Sequence, residues 1–140
     1  MKLKVTLGII AGLIVLGIVY FAVLSATAKR PGNLGATAGK LAGCPASPNC
    51  VCSQEDPDDA GHYIEPLTYP DNPKDALNRL EQVISSMPRT SVVTREDDYL
   101  HVEFTSALFR YVDDVEFVVA PDDHKIHVRS ASRVGHSDLG

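Results

Sequence analysis

Apolar residues follow three different rhythms along this chain. Residues 5–24 form one uncharged run, VTLGIIAGLIVLGIVYFAVL. As a helix it measures about 30 Å, the thickness of a bilayer's hydrocarbon core. Further on, Ala76, Leu77, Leu80, Ile84 and Met87 recur at helical spacing, with Asn78, Arg79, Glu81 and Gln82 turned the other way. Asp71-Asn72-Pro73 supplies a cap and a first-turn proline, Asp75 complements the helix dipole, and Pro88 stops the helix. After it the period drops to two in four runs, 91–95, 99–105, 114–120 and 125–130. Glu96-Asp97-Asp98 and Pro121-Asp122-Asp123 join them into two hairpins. The pattern predicts an α+β protein: an N-terminal transmembrane helix, then a small antiparallel sheet of about four strands covered by one main helix.

This divides the chain into an anchor or signal segment at 1–28, a Gly/Ala-rich flexible tether at 29–43 and an α+β domain at 44–140. Ala26-Thr27-Ala28 has the form of a signal-peptidase site, but the apolar run is longer than a signal core, so an uncleaved anchor is expected. Gly8 and Gly12 make a GxxxG, a weak helix-pairing signal. Leu41-Ala42-Gly43-Cys44 imitates a lipobox but lies too far from the apolar run to be one. Residues 53–72 read as a proline-broken extended stretch, with Ile64 and Leu67 as its anchors to the core.

Charge sharpens the division. Residues 1–40 carry net +5 and residues 41–140 carry net −10. An acidic body argues against nucleic acid as a partner, because phosphate contacts need a Lys/Arg surface. Lys2 and Lys4 flank one end of the apolar run and Lys29 and Arg30 the other, so the positive-inside rule nearly cancels.

The cysteines lie together in CPASPNCVC. Three arrangements are open: a Cys44–Cys50 disulfide across a loop bent by Pro45 and Pro48, a metal site borrowing His62, or three plain thiols. The spacing is unusual for zinc, and a one-residue gap strains a Cys50–Cys52 bridge. The expectation carried forward is Cys44–Cys50 with Cys52 left over, no metal and no cofactor. A disulfide, with the export behaviour of a first hydrophobic segment, points to a body outside the cytoplasm.

Alternation assigns the sheet's faces. Leu100, Val102, Phe104, Val115, Phe117, Val119, Ile126 and Val128 fall on one side. His101, Glu103, Asp114, Glu116, His127 and Arg129 fall on the other, expected to be exposed. A wet face with weak cross-strand ion pairs and a binding patch are both compatible with this pattern. No GxSxG elbow or phosphate loop is present, and the adjacent His136-Ser137-Asp138 cannot face one another as a triad.

CPASPNC with Ser53-Gln54, then FRYVDDVEF, then VRSASRVGHSDLG together resemble the signature blocks of a bacterial and plastid family, domain of unknown function fourteen-ninety-nine. The resemblance spans residues 44–140. It departs at Cys52, where a serine is usual, and at His136, where an aromatic is usual. It also implies a closing helix beyond Gly140, so either the chain is a fragment or the domain lacks a C-terminal cap. The candidate binding residues are Glu103, Asp113, Asp114, Glu116, Arg129, Ser130, Ser132, Arg133 and Asp138. The expected function is a membrane-anchored accessory or binding domain, single-pass in the cytoplasmic (inner) membrane through residues 5–24, with its body on the periplasmic side. That face would engage a small charged ligand or a protein partner. The alternative is a hydrolase using Asp114 or Glu116 as acid/base and Arg129 or Arg133 to hold an anion.

Overall fold

The computed structural model describes residues 2–135. Helix α1 (Lys2–Thr27) is followed by strand β1 (Cys50–Cys52), strand β2 (Leu67–Thr68), helix α2 (Pro73–Ser85) and strands β3 (Thr90–Arg95), β4 (Tyr99–Thr105), β5 (Val112–Ala120) and β6 (Lys125–Ser132). The α+β architecture is as the periodicity predicts. Among the described residues, however, the sheet has six strands rather than four, all antiparallel, in the order β1-β6-β5-β4-β3, with β2 also on β6. β1 and β2 share one edge of β6: Cys52 pairs with Arg129 and Leu67 with Ile126. At three and two residues they are too short to show a period. Only the partner strand defines them.

α2 begins as its sequence requires. Asn72 Oδ1 accepts from the Asp75 amide at 2.9 Å, Pro73 sits in the first turn, and Asp75 lies at the positive end of the dipole. Its apolar stripe seats Ala76, Leu77 and Ile84 on the sheet, with Leu80 beside them, against Leu100, Val102, Phe117, Val119 and Ile126. Three expected contributors, Met87, Ile64 and Leu67, fall outside this core. Met87 lies beyond the helix end at Ser85 and is exposed, so it does not extend the stripe. Ile64 and Leu67 are also exposed; Tyr69, after β2, provides the buried anchor instead.

The opposite face carries a smaller apolar cluster of Leu41, Cys52, Tyr99 and Val118, with Cys44 against it. Leu41 comes from the Gly/Ala-rich segment before the domain, which lies across this face. Thr37 and Lys40 exchange backbone hydrogen bonds around a tight turn in which Ala38 and Gly39 have positive φ. The Gln54 side chain holds the C-terminal side of that turn, accepting from the Leu41 amide at 2.8 Å and donating to the Gly39 carbonyl at 2.9 Å. Cys44 and Cys50 form a disulfide, and Cys52 is a buried free thiol.

α1 is long and apolar enough to cross a membrane. Most of its large side chains, Leu13 and Leu16 among them, are exposed. A helix apolar on every side is stable where its surroundings are apolar too.

Candidate functional site

β4, β5 and β6 present Tyr99, His101, Glu103, Asp114, Glu116 and Arg129 on the face away from α2. The ladder sets Glu103 opposite Asp114, His101 opposite Glu116, and Glu116 opposite Arg129. Arg133 returns over the end of this array just past β6, its amide donating to the Val112 carbonyl. Alternation therefore grouped these side chains correctly. The expected exposure is wrong: Asp114 and Glu116 have 0% exposure, and Arg129 and His101 have 3% each. Burial comes from the segment laid over them. A sheet face is wet only until something covers it.

The buried charges are paired closely. Arg133 donates side-on to Asp114 through Nε and Nη2, both at 2.7 Å, and Nη2 also reaches Glu103 Oε1. His101 Nε2 lies 2.8 Å from Asp114 Oδ1. Glu116 Oε1 accepts from the Tyr99 hydroxyl and the Gly35 amide, each at 2.7 Å, and Oε2 accepts from Arg129 Nη1 at 3.0 Å. Arg30 closes the outer side, donating to Glu103 Oε1 through Nη2 at 2.5 Å. Gly35 holds φ at +111°, a conformation that side chains resist, and this turns its amide into the sheet.

Burial raises the carboxyls of Asp114 and Glu103, but their charge-assisted bonds outweigh it. Arg133 and His101 hold Asp114 below the usual carboxylate range, and Arg133 and Arg30 do the same for Glu103. The Tyr99 phenol is pushed well up by burial and by its bond to Glu116. Burial also raises the Cys52 thiol and lowers His127, whose Nδ1 sits 3.1 Å from Ser53 Oγ. Two buried polar atoms, the Tyr69 hydroxyl and Arg129 Nε, have no hydrogen-bond partner among the described residues, and Arg129 Nε lies on this face. Arg129 also lines a cleft of about 410 Å³ beside the disulfide, with Asn33, Cys44, Asn49 and Ala131.

The family model described as Protein of unknown function (DUF1499) matches residues 40–140. The chain belongs to this family. No curated protein and no solved structure matches it.

Within this DUF1499 domain the structure divides the predicted site. Glu103, Asp114, Glu116, Arg129 and Arg133 converge. Ser130 and Ser132 alternate with Arg129 on β6 and pair across the ladder with Val115 and Asp113, on the α2 side of the sheet. Asp138 lies outside the described residues. Four participants absent from the predicted set complete the network: Tyr99, His101, Arg30 and Gly35. Tyr99 and His101 share the period-two rhythm of Glu103, so the signal for them was present. Arg30 and Gly35 sit in an aperiodic stretch that nothing local ties to a sheet some 70 to 80 residues later.

Proposed function

We propose that this DUF1499 chain is a membrane-anchored accessory domain, single-pass in the cytoplasmic membrane with its body on the extracytoplasmic side. It binds a small ligand bearing a carboxylate or phosphate group in the cleft beside Arg129. The length and apolarity of α1 support the anchor. The Cys44–Cys50 bridge supports an oxidising compartment. The observation that carries the ligand reading is Arg129, a cleft-lining side chain buried to 3% exposure whose Nε has no partner among the described residues. Buried donors rarely stay unpaired, and an arginine edge suits oxyanions. Acid/base chemistry by Asp114 or Glu116 draws less support. Both carboxylates are sealed from solvent and engaged by fixed donors, and Asp114 is held below the range a general acid needs.

The test is a thermal melt of the full chain in detergent micelles, with phosphate, sulfate or acetate compared with chloride at matched ionic strength. An oxyanion should raise Tm in the wild type. Ala131→Phe, which fills the cleft, should abolish the rise. No rise with any oxyanion, or an equal rise in Ala131→Phe, contradicts the reading.

A further inference from the structure

The loop between β4 and β5, residues 106–111 (SALFRY), plays no part in the buried network. It closes on itself: the Ser106 amide donates to the Tyr111 carbonyl at 2.8 Å, and Ser106 Oγ accepts from the Tyr111 amide at 2.9 Å. Its tip displays Leu108 with 79% of its surface exposed. It also lies against α1, with the Phe109 ring 5.3 Å from that of Phe21 and Ser25 Oγ donating to the Arg110 carbonyl at 2.8 Å. Tyr111 stacks behind Phe109 at 5.8 Å.

These contacts fix a depth. Phe21 precedes the end of the apolar run at Leu24 by three residues, about 4.5 Å along the axis. A loop touching Phe21 and Ser25 therefore sits at the level where hydrocarbon gives way to headgroups, the zone that aromatic side chains favour. The charges agree. β4 runs toward this loop and β5 runs back, so exposed Arg89 and Arg110 lie at the loop's end of the sheet. Glu96, Asp97, Asp98, Asp122 and Asp123 occupy the turns at the far end. An acidic body thus presents an apolar tip flanked by arginines toward α1 and its acidic turns away from it.

The geometry points to residues 106–111 as a second membrane contact, with Leu108 and Phe109 in the lipid interface and Arg110 on lipid phosphate. The loop would hold the domain against the bilayer rather than leave it swinging on α1. This rests on α1 spanning the membrane. It is tested with the full chain in liposomes of zwitterionic and anionic phospholipid. A thiol-reactive bimane is attached at Leu108→Cys, Asp122→Cys or Leu13→Cys; the native thiol Cys52 is 1% exposed and does not compete. Leu108 is exposed, so its replacement leaves the core intact. The expected result is a blue-shifted probe at 108, quenched by lipids carrying a nitroxide near the headgroup and shielded from aqueous iodide, with the opposite behaviour at 122. A probe at 13 quenched by chain-end nitroxides while 108 responds to iodide like 122 overturns this inference alone. A probe at 13 that no lipid nitroxide quenches overturns the membrane anchor and this inference with it.

Discussion

The sheet has two faces built on the same alternation and closed by different means. On one, α2 brings an apolar stripe onto Leu100, Val102, Phe117 and Val119, and burial of hydrocarbon holds the layers together. On the other, a Gly/Ala-rich segment with little hydrophobic surface of its own covers Glu103, Asp114, Glu116, Arg129 and Arg133. It contributes what a helix stripe lacks there: a free backbone amide at Gly35, a guanidinium at Arg30, and Leu41 as an apolar plug. The cover matches the face. Charges buried under such a lid must pair among themselves, because desolvation is costly for any carboxylate or guanidinium left alone.

The polar side is the more fragile of the two. Glu116→Ala leaves the Arg129 charge buried without its carboxylate and should cost roughly 3–5 kcal/mol, read from urea unfolding. Glu116→Leu with Arg129→Met should recover much of that loss, since an apolar pair removes both charges together. A double variant no more stable than the single one would mean that the network depends on more than this pair. On the apolar side, Leu100→Ala should cost about 2–5 kcal/mol, with no partner replacement able to restore it.

Acid separates the faces next. The Asp114 and Glu103 carboxyls are held below their usual values, so their contribution is complete above the ordinary carboxylate range. It is lost as pH falls through their lower folded values. Tm should hold through neutral pH and fall below about pH 4, less steeply in Asp114→Asn than in the wild type. An acid limb unchanged by that substitution would place the sensitive carboxylates elsewhere. Smaller again is the bridge beside the lid. Replacing Cys44 and Cys50 together by Ala should cost about 2 kcal/mol, because the loop it closes is short. The smallest effect belongs to Arg30→Gln. Arg30 is half exposed, so its pair with Glu103 should contribute well under about 1 kcal/mol.

The same contrast explains what the sequence discloses. The apolar face is legible because period 3.6 in α2 and period two in β4, β5 and β6 meet in one core, and the polar residues opposite follow from the same alternation. Their burial is not legible, since it depends on Gly35 and Leu41, small or isolated residues in a stretch without rhythm. β1 and β2 escape for a related reason: two or three residues have no period. Asp113, Ser130 and Ser132 entered the predicted site through a resemblance in sequence blocks, and strand alternation separates them from Arg129.

The central claim is that the segment before the domain is a fitted cover over the charged face. The Gly35 amide tests it most directly, by hydrogen exchange measured by NMR on the full chain in micelles. Donating at 2.7 Å to a carboxylate with no exposed surface, it should exchange far more slowly than the neighbouring exposed amides of Gly32 and Asn33. That protection should disappear in Glu116→Leu with Arg129→Met, which leaves no acceptor for the amide. A Gly35 amide exchanging at the rate of an open tether, in a protein otherwise folded, would contradict the account.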